Sequence, residues 1–288
     1  MRPSRDTVGS DGLALHKVSV RFGGLTALDE VSLAVPPGRV VGVIGPNGAG
    51  KTTLFNVICG FVRPTAGSLT LNGRELRPRP DRLTSLGIAR TLQGIGLFPG
   101  LSVLENVMAG ATHRARAGFA SALFGLPKSD RDERRLRALA LAALDDLGVA
   151  RYAQASPGTL PHALCKRIAL ARALVGAPKL LLLDEPAGGL GGDDIAELAD
   201  LIRGLPARTG ADCSVLLVEH HMDLVMEVCD EIVVLDFGRR IAGGTPQEIR
   251  DDPAVAEAYL GAAVDAEPEV HSGTTVHTGN SADQGASM

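Results

Sequence analysis

Apolar and polar positions alternate along Leu13–Phe22, which predicts a half-buried strand with Val18, Val20 and Phe22 on one face. Leu28 to Val35 alternates likewise, and Pro36-Pro37-Gly38 turns the chain into a continuous apolar run, Val40 to Ile44. Ser68 to Leu71, followed by Asn72-Gly73, predicts a strand entering a tight turn. These short strands predict an antiparallel layer. From Leu101 the period becomes helical. Ser102 and Glu105 have capping-box spacing, and a second start at Ser129 leads into a helix with Leu136, Leu139, Leu144 and Leu147 inward, ended at Gly148. Residues 97–158 are therefore expected to form an inserted helical subdomain. Further on, Leu180–Leu183 and Ser214–Glu219 are short apolar runs of the kind buried in parallel sheets. Between them Ile195, Leu198, Leu201, Ile202 and Leu205 recur at helical spacing. Glu231 to Ile241 holds two strand-like runs about Asp236-Phe237-Gly238. Alternating strands and helices predict an α/β fold with a mostly parallel core sheet.

The chain has 288 residues and is 45% hydrophobic, enough for one large domain with a subdomain. Residues 1–11 are polar, carry no signal-peptide pattern and are expected to be a disordered N-terminus, and residues 262–288, rich in Gly, Ser, Thr, Ala and His, are expected to be a disordered tail. That leaves 12–261 as the folded domain. No apolar run approaches the length of a membrane span. A net charge of −4 without a long basic run argues against wrapping nucleic acid. The four cysteines lack C-x-x-C spacing and read as reduced, small apolar residues.

Candidate chemistry begins at Gly45-Pro46-Asn47-Gly48-Ala49-Gly50-Lys51-Thr52-Thr53, which matches G-x-x-x-x-G-K-[ST] at every position. A strand precedes it and a helix, Thr52 to Cys59, follows, stopped by Gly60. Glycines let backbone N–H groups close around a polyphosphate, and the helix start adds unpaired donors and partial positive charge. Lys51 can reach the β- and γ-phosphates, and the Thr52 hydroxyl can ligate Mg²⁺. The Leu180 run ends in Asp184-Glu185-Pro186. A carboxylate at a strand end beside such a loop can hold Mg²⁺ through water, the role assigned to Asp184. The next acid, Glu185, can polarise an attacking water. Glu219-His220-His221 also has metal-ligand chemistry, but neighbours on a strand point to opposite faces, so three converging ligands are not expected.

Phosphate loop, glutamine segment, helical insert, signature helix, acidic strand end and histidine strand end follow one another over residues 12–261. In this order the chain resembles the ATP-binding cassette (ABC) ATPases. It looks most similar to the ATP-binding subunits of branched-chain amino-acid importers, on Arg21-Phe22-Gly23-Gly24-Leu25, Arg90-Thr91-Leu92-Gln93 with Leu97-Phe98, and Gly244-Thr245-Pro246-Gln247-Glu248-Ile249-Arg250 running on to Ala258-Tyr259-Leu260-Gly261. The resemblance implies a P-loop NTPase core with an antiparallel β subdomain and an inserted α-helical subdomain. It implies that ATP is bound with Mg²⁺ and hydrolysed, that Phe22 stacks on adenine, and that Gln93 senses Mg²⁺ and the γ-phosphate. His220 is then the switch histidine at the γ-phosphate.

The chain departs from the family at its signature. Where Leu-Ser-Gly-Gly-Gln or a close variant is usual, it carries Leu160-Pro161-His162-Ala163-Leu164. Pro161 has neither hydroxyl nor N–H, Ala163 adds a methyl where close backbone approach is needed, and Leu164 replaces an amide. Gly191 also stands where Asp or Asn is usual. In this family the signature grips the nucleotide of the opposite subunit, so two copies of this chain would make two poor sites. That favours a heterodimer with a second ATPase subunit. The resemblance further implies transmembrane permease subunits as partners, on the cytoplasmic face of the membrane. Two other readings stay open: a regulatory cassette with little hydrolysis of its own, and a soluble ABC ATPase outside transport.

Overall fold

The computed structural model describes residues 11–91, 94–114, 127–208 and 213–264. Gln93 lies outside them, as do residues 1–10 and 265–288 of the two expected tails. The strands are β1 (Leu13–Phe22), β2 (Leu25–Val35), β3 (Val40–Ile44), β4 (Ala66–Leu71), β5 (Arg74–Leu76), β6 (Ile88–Arg90), β7 (Leu180–Asp184), β8 (Ser214–Val218), β9 (Glu231–Asp236) and β10 (Arg239–Gly244). The helices are α1 (Lys51–Ile58), α2 (Val103–Gly110), α3 (Pro127–Asp146), α4 (His162–Leu174), α5 (Gly192–Arg208), α6 (Met222–Val228), α7 (Pro246–Arg250) and α8 (Pro253–Val264). Helix α8 thus runs to Val264, past the boundary expected at 261.

Two sheets organise the chain. One is four-stranded, in the order β2-β1-β4-β5, with every pairing antiparallel. The other is six-stranded, in the order β10-β9-β3-β8-β7-β6, and parallel except for the β9–β10 hairpin. The continuous apolar runs are explained by burial on both faces of this sheet. Val41 and Val43 face the cluster formed with α1 and the antiparallel sheet, while Val40 and Ile44 face the cluster formed with α2 to α6. Leu180 and Leu182 alternate with Leu181 and Leu183 in the same way. Helix α2 starts at Ser102, whose hydroxyl accepts the Glu105 N–H while the Glu105 carboxylate accepts the Ser102 N–H. It packs against α3 and α4, so the helices of the middle block form one body beside the sheet.

One face assignment is corrected. Val18 and Val20 are buried, but Phe22 is 51% exposed. The β1–β2 register shifts between Leu15 and Val18, and again on either side of Val20. Lys17 takes a left-handed φ of 45° beside the first shift. The extra residue of the first shift lies in β1, ahead of Val18, and those of the later shifts lie in β2. Phe22 closes the strand opposite Leu25, which is also exposed, so the alternation does not carry burial to the end of β1.

Candidate nucleotide site

Register places the site. Val43 of β3 pairs with Val218 of β8, and Val218 pairs with Asp184 of β7. The three strands end level, so the loop after Ile44, the acids at 184–185 and the turn after Val218 emerge at one edge of the sheet. Ligands of open α/β sheets bind at this carboxyl edge.

The loop from Gly45 to Gly50 is fixed by its surroundings. A Cβ on Gly45 would lie 2.1 Å from the Leu235 carbonyl oxygen, so the strand-to-loop junction packs directly on β9. Gly48 has open space beside it but a φ of +82°, which L side chains rarely adopt. Gly50 caps α1 without any side-chain hydrogen bond, and Leu54 N–H is the donor that reaches its carbonyl, at 2.9 Å. The first-turn N–H groups of Lys51, Thr52 and Thr53 are thus left for an anion. Lys51 Nζ donates to the Gly45 and Pro46 carbonyls at 2.7 and 2.8 Å, holding its charge across the loop. Burial pushes the Lys51 amine below its usual range, and nearby Glu185 acts in the opposite sense. Thr52 is exposed at the same helix start. Donors, dipole and cation on a cradle of glycines fit a polyphosphate.

Asp184 is 5% exposed and pairs with Arg90 of β6, whose Nη2 donates to Oδ2 at 2.8 Å. Glu185 follows with a φ of 46°, a left-handed conformation unusual for a residue with a long side chain. Its N–H donates to the Val218 carbonyl at 2.9 Å, and its own carbonyl accepts Lys166 Nζ at 3.1 Å. Burial lowers the Lys166 amine, while Glu219 and Glu185 raise it. The Glu185 carboxylate therefore lies in the field of two partly buried cations, one on the phosphate loop and one on α4.

His220 is 55% exposed at the side chain, beside the buried Glu219. The Glu219 carboxylate accepts three backbone N–H groups: Ala187 at 2.7 Å, His220 at 2.9 Å and His221 at 3.1 Å. The expectation that Glu219, His220 and His221 diverge is corrected. The strand ends at Val218, the chain turns, and one potential ligand atom from each residue lies within 4.8 Å of the others. Alternation applies only inside the ladder.

Phe22 ends β1 with its ring exposed, as base stacking requires. In the signature segment, Pro161 is the N-cap of α4 and makes no side-chain cap bond. Pro161 and His162 are exposed, whereas Leu164 packs against the main core. Sequence reasoning gave no role to Arg90, Lys166 or Glu219. Arg90 stood beside the glutamine segment and Glu219 beside His220, but their partners are distant in the chain.

Comparison with known proteins agrees with this geometry. The family described as "ABC transporter" matches residues 28–188, and the one described as "Branched-chain amino acid ATP-binding cassette transporter" matches residues 239–265. The chain is 40% identical over 252 residues to the high-affinity branched-chain amino acid transport ATP-binding protein BraF of Pseudomonas aeruginosa, covering 87% of this chain and 98% of that protein. It is 37% identical to LivG of Escherichia coli K12, a protein of the same description, with the same coverage. Among solved structures, a nucleotide-free ATP-binding cassette from an ABC transporter superposes with a TM-score of 0.73 at 28% identity, over 86% of this chain and 98% of that one. An ADP-bound cassette superposes equally, with 0.73 and 28%, over 87% and 99%.

Proposed function

The chain belongs to the ABC transporter ATP-binding family, and we propose that it hydrolyses ATP to drive import of branched-chain or related amino acids through a membrane permease. Residues 12–261 form the cassette in this reading, with the helical subdomain at about 97–158. The single observation that carries it is the level ending of β3, β7 and β8, which gathers Lys51, Asp184, Glu185 and His220 at one sheet edge.

The chemistry follows from those positions. Gly45 to Gly50, with Lys51, Thr52 and Thr53, bind the polyphosphate through N–H groups and one ammonium. Phe22 stacks on the adenine. In this reading Thr52 and Asp184 would hold Mg²⁺, with Gln93 added by resemblance. A divalent cation held by them would supply positive charge to the polyphosphate. Glu185 takes a proton from water as its oxygen bonds to the γ-phosphorus. The bond to the bridging oxygen breaks and leaves ADP and phosphate. His220, fixed through its N–H to Glu219, donates to the γ-phosphate. Catalysis also needs donors from an opposite cassette. Pro161 at the head of α4 supplies no hydroxyl, which supports pairing with a different cassette rather than a second copy.

None of the helices among the described residues is long and apolar enough to cross a membrane. In this reading the permease is supplied by separate subunits, as the resemblance to importer ATPases implies. Docking on the cytoplasmic face supplies ATP to the site. Co-expression with candidate permeases and a second cassette, followed by affinity capture of this chain, tests the assembly. The expected result is a complex holding permease subunits and two different cassettes. Recovery of a homodimer with brisk turnover and no permease would contradict it.

A further inference from the structure

Arg90 is the last residue of β6 and pairs across the ladder with Leu182, just ahead of Asp184. Its guanidinium is largely enclosed, at 14% side-chain exposure, and joins two elements of the nucleotide site. Toward β7, Nη2 donates to Asp184 Oδ2 at 2.8 Å. Toward α1, Nη1 donates to Asn56 Oδ1 at 3.3 Å and lies 3.7 Å from Cys59 Sγ. The guanidinium carbon sits 5.7 Å from the centre of the Phe55 ring. Burial pushes the Cys59 thiol up, so this neighbour stays neutral and leaves the Arg90 charge to Asp184. The side chain of the next residue adds to the hold: the Thr91 hydroxyl oxygen accepts the Asp184 N–H at 3.3 Å.

The arrangement has one loose end. Arg90 Nε is buried without a hydrogen-bond partner, while the rest of the fork is engaged. A donor left in this way marks a side chain whose contacts are not all at their best. A cation-binding carboxylate enclosed to 5% exposure also poses a charge problem when no cation is there. Arg90 solves it by neutralising Asp184. The same carboxylate cannot give its full field to both the guanidinium and a divalent cation.

We propose that Arg90 is a positioning residue and standing counter-ion of Asp184, which competes with the divalent cation of the nucleotide site and so sets its affinity. The proposal rests on Asp184 being the metal-holding carboxylate. A pair that only staples β7 to α1 would instead support the fold equally with and without metal.

The test uses the full chain with ADP, which the site cannot turn over, and Mn²⁺ as the probe, its free form read by electron paramagnetic resonance. Asp184→Asn should weaken Mn²⁺ binding. Arg90→Gln keeps a donor for Oδ2 but removes the charge. It should lower the Mn²⁺ dissociation constant by roughly threefold to tenfold, the scale of one lost charge interaction. Arg90→Lys, which keeps a charge but loses the fork, should lower it by a smaller factor. In thermal unfolding, Arg90→Gln should lose more stability without Mn²⁺ and ADP than with them. Unchanged or weaker Mn²⁺ binding in either Arg90 variant, or an equal loss of stability with and without metal, would overturn the competition. Asp184→Asn binding Mn²⁺ as tightly as wild type would overturn the metal assignment, and the competition with it.

Discussion

The buried carboxylate of Glu219 accepts the N–H of Ala187 at 2.7 Å, across 32 positions of sequence. Since it also accepts the N–H groups of His220 and His221, one side chain joins the histidine turn to the loop that follows Glu185. Glu219→Ala would strand these donors, each at a cost of about 1–3 kcal/mol if it stays dry. Thermal unfolding should show a clear loss of stability, and turnover should fall more than nucleotide affinity. Glu219→Gln, which still accepts at one oxygen, should fall between the two.

Lys51 Nζ holds the phosphate loop's own carbonyls, those of Gly45 and Pro46. A hydrogen bond to a charged group contributes about 1.5–3 kcal/mol, and Lys51 supplies more than one. Lys51→Ala should therefore abolish ATP binding or nearly so, as read by titration with a fluorescent ATP analogue. Near-normal affinity would defeat the phosphate-loop assignment.

Glu185 lies in the field of both Lys51 and Lys166, and the proposed mechanism makes it the base. An amide cannot take the water's proton. Glu185→Gln should bind Mg-ATP with affinity close to wild type but turn over very slowly, in single-turnover assays of the assembled complex. Equal rates would remove Glu185 from the role.

Much of this site is legible in the sequence because its parts are local. The phosphate loop is a contiguous run, and Asp184 and Glu185 stand where an apolar strand ends. The parts that were not legible depend on register between distant segments. Arg90 reaches Asp184 over 94 positions, and nothing near Arg90 announces that partner. Phe22 is exposed because it closes β1 opposite Leu25, the first residue of β2 and itself exposed, where burial no longer follows the alternation. Glu219, His220 and His221 converge because β8 stops one residue earlier than its apolar run suggests.

The head of α4 gives a riskier expectation. Pro161 caps it without a hydroxyl, and Leu164 is turned to the core. The isolated chain should hydrolyse ATP poorly at every protein concentration. Pro161→Ser, Ala163→Gly and Leu164→Gln together should raise its rate, with a dependence on concentration that reports dimer formation. Brisk turnover of the wild-type chain alone, removed by Glu185→Gln, would mean that its own signature segment works.

The most direct measurement is ATP turnover by the complex of this chain, its partner cassette and the permease in proteoliposomes, with the solute receptor and branched-chain amino acids present or absent. The account predicts that solute and receptor together stimulate turnover and drive uptake. It also predicts that Glu185→Gln in this chain removes most of both. Turnover and uptake that survive Glu185→Gln in this chain would contradict it.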